Sequence, residues 1–353
     1  MLWLQILYIN IKKIKKILNI NFKTFKLIMS ISEKKIRTFK LTDYDIGDTI
    51  KLIPNGRIKT AITKRTEELV VMKILKKCKV VKSNQTQHII NELNLVPNLS
   101  HPFLLKFLSY YQDDKFIYLA YEFIPGGDLF SLLKAENRFS LEKSQFYIGQ
   151  VIYALEYLHD KNIVYRNLKP ENILINKNGY IKLSDFELMK EIEDRTYTLC
   201  GTPGYMAPEI ILNKGYGLGV DWWALGVLLY EMICGVDPFA DDSPMKIYEN
   251  ILEGKIKFTS DFDDLSKSLI KHLIERDISK RYGNLKNGVD DIKNHDFFKS
   301  LNWDKLLKQE INAEFIPKIK PDNMLNYYDF YPDSNEKVDP LDNDNDPFIN
   351  NFN

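Results

Sequence analysis

Between residues 44 and 124 the apolar positions alternate with polar ones or form short β-branched runs. ELVVMKIL at 68–75 alternates around Lys73 and predicts a strand. FIYLAYEF at 116–123 predicts another, ended by the breaker Pro125-Gly126-Gly127. NQTQHIINELNLV at 84–96 carries helical spacing. Beyond residue 125 the pattern turns helical. SLEKSQFYIGQVIYALEYLHD at 140–160 predicts a helix with Ser140 as N-cap, apolar on several faces and therefore deeply buried. ILINKNGYIKLSDF at 173–186 predicts a hairpin in which Asn178-Gly179 supplies positive φ values for a tight turn. DWWALGVLLYEMICG at 221–235 predicts a second core helix, stopped at Gly235. A small β-rich part followed by a larger helical part makes the fold class α+β and bilobal, with a ligand cleft expected between the lobes.

The 353 residues allow two domains or one large two-lobed unit. Apolar content of 44% and charged content of 27% are those of a globular protein with an ample core. Three widely spaced cysteines exclude a disulfide scaffold and a Cys-rich zinc module, and suit a reducing, cytoplasmic setting. A net charge of +1 provides no global field toward nucleic acid or membrane. The charge is unevenly placed: residues 1–40 carry +9 and residues 321–353 carry −7. The apolar run at 1–11 is too short to span a bilayer, and its positive charges follow it rather than precede it. Residues 1–28 read either as a basic amphipathic helix for an anionic membrane surface or as an upstream stretch, with Met29 as an alternative start. The Ile/Lys/Asn bias favours the second.

VMK at 71–73, Glu92 nineteen residues after Lys73, YRNLKPEN at 165–172, SDFE at 184–187 and APE at 207–209 follow one another in order. Each is a weak signal. Together they resemble the protein-kinase signature set. RTYTLCGTPGYMAPEIILNKGY (195–216), VDWWALGVLLYEM (220–232) and YGNLKNGVDDIKNH (282–295) narrow the resemblance to the AGC group, nearest the cAMP-dependent kinase catalytic subunit. It implies a basic N-terminal extension at 1–43, a small lobe at 44–124, a large lobe at 125–298 and an AGC-type tail at 299–353.

The resemblance also implies roles. Lys73 would grip donor phosphates and Glu92 would orient it, with Gly56, Ile58, Val71, Tyr121 and Leu174 around the nucleotide. Asn172 and Asp185 offer hard oxygens of the kind Mg2+ requires. Lys169 would lie near the transferred phosphate. Thr198 sits where the family carries an activating phosphothreonine, and Arg166, Lys190 and His88 match the cations that receive it. Val96, Phe107, Tyr165 and Phe186 match a hydrophobic spine, Glu209 and Arg281 a buried ion pair, and Asp221 a brace for the catalytic loop. Asp128, Glu171 and Glu231 match acidic residues that bind arginines of a substrate or of a regulatory-subunit-like inhibitor, whereas Gly204 replaces another such acid. Phe348 and Phe352 resemble an aromatic pair that folds onto the small lobe, with one extra residue between them, so that either they dock imperfectly or the tail is free.

Three positions depart from the pattern. Lys51 and Ile53 stand where the phosphate-cradling loop has glycines, and Pro54 removes a backbone donor. Asn167 replaces the Asp that accepts or orients the substrate proton, and an amide accepts no proton. Glu187 replaces the Gly after Asp185-Phe186. Val71 and Tyr121 add bulk to the adenine pocket. The expectation is an obstructed phosphate site with weak ATP and Mg2+ binding. The protein would then be a catalytically impaired pseudokinase acting as a binding or regulatory module. The alternative is an ATP-dependent serine/threonine kinase of low turnover that prefers basic sites.

Overall fold

The computed structural model describes residues 39–320, 323–333, 337–341 and 346–349. The stretch 1–28, Met29 and Phe352 lie outside them, and with them the proposed membrane contact. Among the described residues no helix is long and apolar enough to cross a membrane.

The small lobe is one antiparallel sheet in the order β1-β2-β3-β5-β4. Its strands are β1 (Tyr44–Ile53), β2 (Gly56–Thr63), β3 (Leu69–Lys76), β4 (Phe107–Gln112) and β5 (Phe116–Glu122). Two helices, α1 (Lys77–Lys82) and α2 (Thr86–Leu95), intervene between β3 and β4. Ala61, Val70, Met72, Ile74 and Tyr118 form a buried cluster. Phe39 and Leu41 pack against that cluster, so the last residues of the expected extension join the small-lobe core.

The large lobe holds α3 (Leu129–Glu136), α4 (Leu141–His159), α5 (Pro208–Ile211), α6 (Gly219–Cys234), α7 (Pro244–Glu253), α8 (Asp264–Leu273), α9 (Asp290–Lys293) and α10 (Trp303–Leu307). Its short strands are β6 (Ile163–Val164), β7 (Ile173–Ile175), β8 (Ile181–Leu183) and β9 (Lys190–Glu191). Ser140 caps α4 by accepting from the Lys143 amide at 3.0 Å. Gly235, at φ +85°, ends α6. The β7–β8 turn differs from the expected two-residue type. Asn176 and Tyr180 close it at 2.7 Å, the Gly179 amide donates to the Asn176 carbonyl at 2.9 Å, and of the Asn178-Gly179 pair only Gly179 has positive φ. One extra residue in the loop relaxes the twist constraint, so one left-handed residue suffices.

The tail also docks. Phe348 is fully buried, and beside it the Lys77 ammonium meets the Asp346 carboxylate at 2.5 Å with both side chains shielded from solvent. The Gln112 side chain donates to the Phe348 carbonyl at 3.3 Å. Phe348 is therefore docked rather than free, and Phe352, the other member of the expected pair, lies outside the described residues. A neighbouring acid supplies a charge pair that holds the ring in place.

Candidate active site

β3 places Lys73 on the cleft side of the sheet, and α2 places Glu92 opposite. Their side chains meet at 2.8 Å with Glu92 almost fully buried. Burial opposes the charge on Lys73, but the carboxylates of Glu92, Glu187 and Asp185 outweigh it and raise its pKa. The Tyr121 hydroxyl, carried by β5, donates to the other Glu92 oxygen at 2.8 Å. Burial first, and the neighbouring Glu92 second, push the Tyr121 pKa well above its ordinary value, so it stays a donor. The sequence marked Tyr121 as bulk. Its hydroxyl instead fixes the carboxylate that fixes Lys73, a role visible only once β5 and α2 are brought together.

The cleft has a volume of about 480 Å³, which is ample for a small-molecule ligand. Ile58, Val71, Tyr121 and Leu174 provide its apolar walls, and Lys73, Glu92, Asn167, Lys169 and Asp185 its polar end. A cavity stays open beside the residues that depart from the glycine pattern. Lys51, Ile53 and Pro54 line the cleft without filling it. The β1–β2 turn is short, pairing Ile53 with Gly56. Its tip is held by the lobe: the Asn55 carbonyl accepts from the Lys76 amide at 2.8 Å, and the Asn55 side chain accepts from the Ser83 hydroxyl at 3.1 Å. Gly56 is placed differently from expectation. It lies against β3, where a Cβ would come within 1.9 Å of the Ile74 carbonyl oxygen, so its demand for glycine is a packing demand.

The catalytic loop is braced from below. Asp221 accepts from the Tyr165 and Arg166 amides and lies against His159 Nε2, each at 2.8 Å. Arg166 and Asp185 both adopt left-handed backbone, at φ +65° and +53°. Asn167 donates to the Asp185 carbonyl at 3.3 Å, and Asn172 donates to the Asn167 carbonyl at 2.8 Å. The Asn172 backbone accepts from Ser184. Asn172 therefore ties the loop to the segment after β8 that bears Asp185, whose own carboxylate reaches to 3.9 Å from Lys73. Phe186 is buried 6.3 Å from the Tyr121 ring, which in turn packs 5.5 Å from Phe107. Val96 and Tyr165 are buried as well.

Glu187 reaches Lys73 at 3.1 Å, a contact the sequence left undecided. Tyr327, Tyr328, Asp329 and Tyr331 of the tail also line the cleft, which no periodicity in their segment announces. The Tyr328 hydroxyl donates to the Ile124 carbonyl, and the Tyr331 amide to the Thr49 carbonyl at 2.9 Å. Asp333 then reaches Arg57 at 3.1 Å and Lys59 at 2.7 Å on β2.

Arg166, Lys190 and His88, the cations expected to receive a Thr198 phosphate, lie within electrostatic reach of one another. Arg166 donates to the Leu188 carbonyl and the Tyr216 hydroxyl, leaving one buried guanidinium nitrogen without a partner. His88 Nδ1 is likewise unpartnered. Burial, then Arg166 and Lys190, lower the His88 pKa. Lys190 donates to Thr196 at 3.0 Å, and the Tyr216 hydroxyl donates to the carbonyl of exposed Thr198 at 2.6 Å.

The acidic group divides. Asp128 caps α3 through the Ser131 amide at 2.8 Å and lines the cleft. Glu231 accepts from the Tyr205 hydroxyl, with Asp237 and Glu171 near enough to raise its pKa. A Cβ at Gly204 would lie 3.3 Å from the Asp237 carboxylate, so Asp237, not singled out in the sequence, stands beside the missing acid. Glu209 and Arg281 form a buried two-pronged pair at 2.6 and 3.1 Å.

A β-sheet lobe and a helical lobe enclosing a paired lysine, a braced loop and an acidic residue after a short hairpin define the bilobal protein-kinase fold. Residues 54–298 match the protein kinase domain, and the chain belongs to that family, of the cAMP-dependent type. It is 43% identical over 296 residues to the human cAMP-dependent protein kinase catalytic subunit PRKX, covering 84% of this chain and 83% of that one. To cAMP-dependent protein kinase catalytic subunit 3 of Drosophila melanogaster it is 42% identical over 304 residues, 86% of this chain but 52% of the fly protein. To cAMP-dependent protein kinase type 3 of Saccharomyces cerevisiae it is 42% identical over 296 residues, 84% of this chain and 74% of the yeast protein.

Proposed function

We propose that this protein is an ATP- and Mg2+-dependent serine/threonine protein kinase of low turnover, acting on basic sites. The observation that carries the reading is the 2.8 Å Lys73–Glu92 pair at the inner end of an open cleft. That pair must be formed for phosphoryl transfer. The similarity to cAMP-dependent catalytic subunits supports the same reading. The alternative of a pseudokinase binding module rests on three departures, at 51–56, Asn167 and Glu187; the retained Lys73–Glu92 pair and the similarity to catalytic subunits favour the kinase reading over it.

The residues fit a magnesium nucleotide. The apolar walls suit a base, Lys73 suits phosphate oxygens, and Asp185 with Asn172 would hold the metal, whose chemistry is to neutralise charge developing on the transferred group. Lys73, held by Glu92, fixes the donor end. Lys169 lines the same end and adds positive charge there. Asn167 holds the loop to Asp185 and can orient a hydroxyl, but takes no proton. Loss of a general base costs ~10²–10⁴ in rate, hence the low turnover. Asp128, Glu171 and Glu231 supply the negative charge for arginines of a substrate or of a regulatory-subunit-like partner.

The test is the initial rate of phosphate transfer from Mg-ATP to an Arg-rich serine peptide. The wild type should show a rate that disappears in Lys73→Met. Asn167→Asp should raise kcat by about 10- to 100-fold, short of the full range because the new carboxylate faces the Asp185 carbonyl that Asn167 now hydrogen-bonds. Wild-type transfer no greater than that of Lys73→Met would return the protein to the class of binding modules.

A further inference from the structure

We infer that Glu187 is an internal stand-in for donor phosphate: its carboxylate holds the Lys73 ammonium in the empty cleft and competes with phosphate-bearing ligands, leaving phosphate-free nucleosides unaffected. The inference rests on the nucleotide-binding reading above. It begins with the donors of Lys73. An ammonium has three N–H groups and no acceptor. One donates to Glu92 at 2.8 Å, a carboxylate only 1% exposed at the inner end of the cleft. Glu187 approaches the same nitrogen to 3.1 Å from the cleft side, while Asp185 stays at 3.9 Å.

The contact is well sheltered. The Lys73 side chain is 8% exposed and that of Glu187 22%, so solvent screens the pair less than it would a surface pair. Glu187 faces α2 as well as β3, since its charge is felt by His88 and Glu92. The backbone leaves no ambiguity about the source of the charge. Asp185 and Glu187 are separated by buried Phe186, and both carboxylates reach toward Lys73. A glycine at 187 would leave the cleft side of Lys73 to Asp185 alone.

With Glu92 and Glu187 facing the ammonium and Asp185 at 3.9 Å, one N–H group stays open to a phosphate oxygen; a second phosphate oxygen on Lys73 must displace the Glu187 carboxylate, and in either case the ligand sits beside a charge of its own sign. Both effects oppose phosphate and neither touches a base or ribose. Glu187 thus sets how far the cleft prefers a nucleotide over a nucleoside.

The experiment is calorimetric titration of the full chain with Mg-ATP and, separately, with adenosine. Wild type, Glu187→Gly and Glu187→Gln are compared. Glu187→Gln keeps the size of the side chain and removes its charge, and it serves also if the glycine variant folds poorly. Both variants should bind Mg-ATP about tenfold more tightly than the wild type, which is ~1.4 kcal/mol, with adenosine affinity changed by less than about twofold. Adenosine binding with no gain for Mg-ATP in either variant would overturn the inference while leaving the nucleotide site intact. A loss of Mg-ATP affinity in both would make Glu187 part of the metal–phosphate site and overturn it equally. Failure of all three proteins to bind adenosine or Mg-ATP would remove the nucleotide reading and this inference together.

Discussion

Single residues here are governed by which partner reaches them first. Glu231 is the clearest case. Burial, with smaller contributions from Asp237 and Glu171, raises its pKa to about 7, although the Tyr205 hydroxyl pulls the other way. The folded value lies above the ordinary 4.5, so the folded state binds more protons between those limits. Its contribution to stability is therefore largest in acid and declines as pH rises toward 7. Arginine binding has the opposite sign, because a guanidinium pairs with the carboxylate and not the acid. KM for an Arg-rich peptide should fall as pH rises from 6 to 8, by about tenfold. Glu231→Gln should flatten that profile and leave KM at its acidic level. A wild-type profile already flat would show that arginine does not bind at Glu231.

Elements carry the second layer. The residues that a motif places on a regular strand or helix were readable in advance: Lys73 on β3, Glu92 on α2, Asp221 on α6. Their periodicity fixes the face and the motif fixes the chemistry. Tyr121 was readable as a position but not as a hydrogen-bond donor to Glu92, because that contact joins a strand to a helix 29 residues away in the chain. The tail was least legible. Residues 327–333 have no repeat to reveal a face, yet they line the cleft and pair with β1 and β2. Farther on, Phe348 is held by the buried Lys77–Asp346 pair at the start of α1. Removing one member of such a pair leaves a buried charge uncompensated, at a cost of ~3–5 kcal/mol. Asp346→Ala should accordingly lower the unfolding free energy by about 3 kcal/mol in urea titrations, whereas Lys77→Met with Asp346→Leu should recover most of the loss. Equal loss in the single and double variants would mean that the packing of Phe348, and not charge, anchors the tail.

At the scale of the molecule, the cations expected to receive a Thr198 phosphate come from parts far apart in sequence. His88 comes from α2 in the small lobe, Arg166 from the catalytic loop and Lys190 from β9. Burial, and then the charges of Arg166 and Lys190, lower the His88 pKa, with Glu187 pulling the other way. A folded value below the ordinary 6.5 means that the unphosphorylated protein is penalised when pH falls below about 6.5, since His88 must then stay neutral or charge at a cost. A phosphate on Thr198 would bring nearly two negative charges and three acceptors to the unpartnered Arg166 nitrogen and to His88 Nδ1. Each charge-assisted hydrogen bond contributes ~1.5–3 kcal/mol. Phosphorylation at Thr198 should then raise the melting temperature of the whole chain in a single transition, and the rise should be larger at pH 6 than at pH 8 because a protonated His88 becomes favourable. His88→Ala should abolish the difference between the two pH values while keeping the part of the rise due to Arg166 and Lys190. A phosphorylated protein whose melting temperature is unchanged, or a pH difference that survives His88→Ala, would separate Thr198 from these cations.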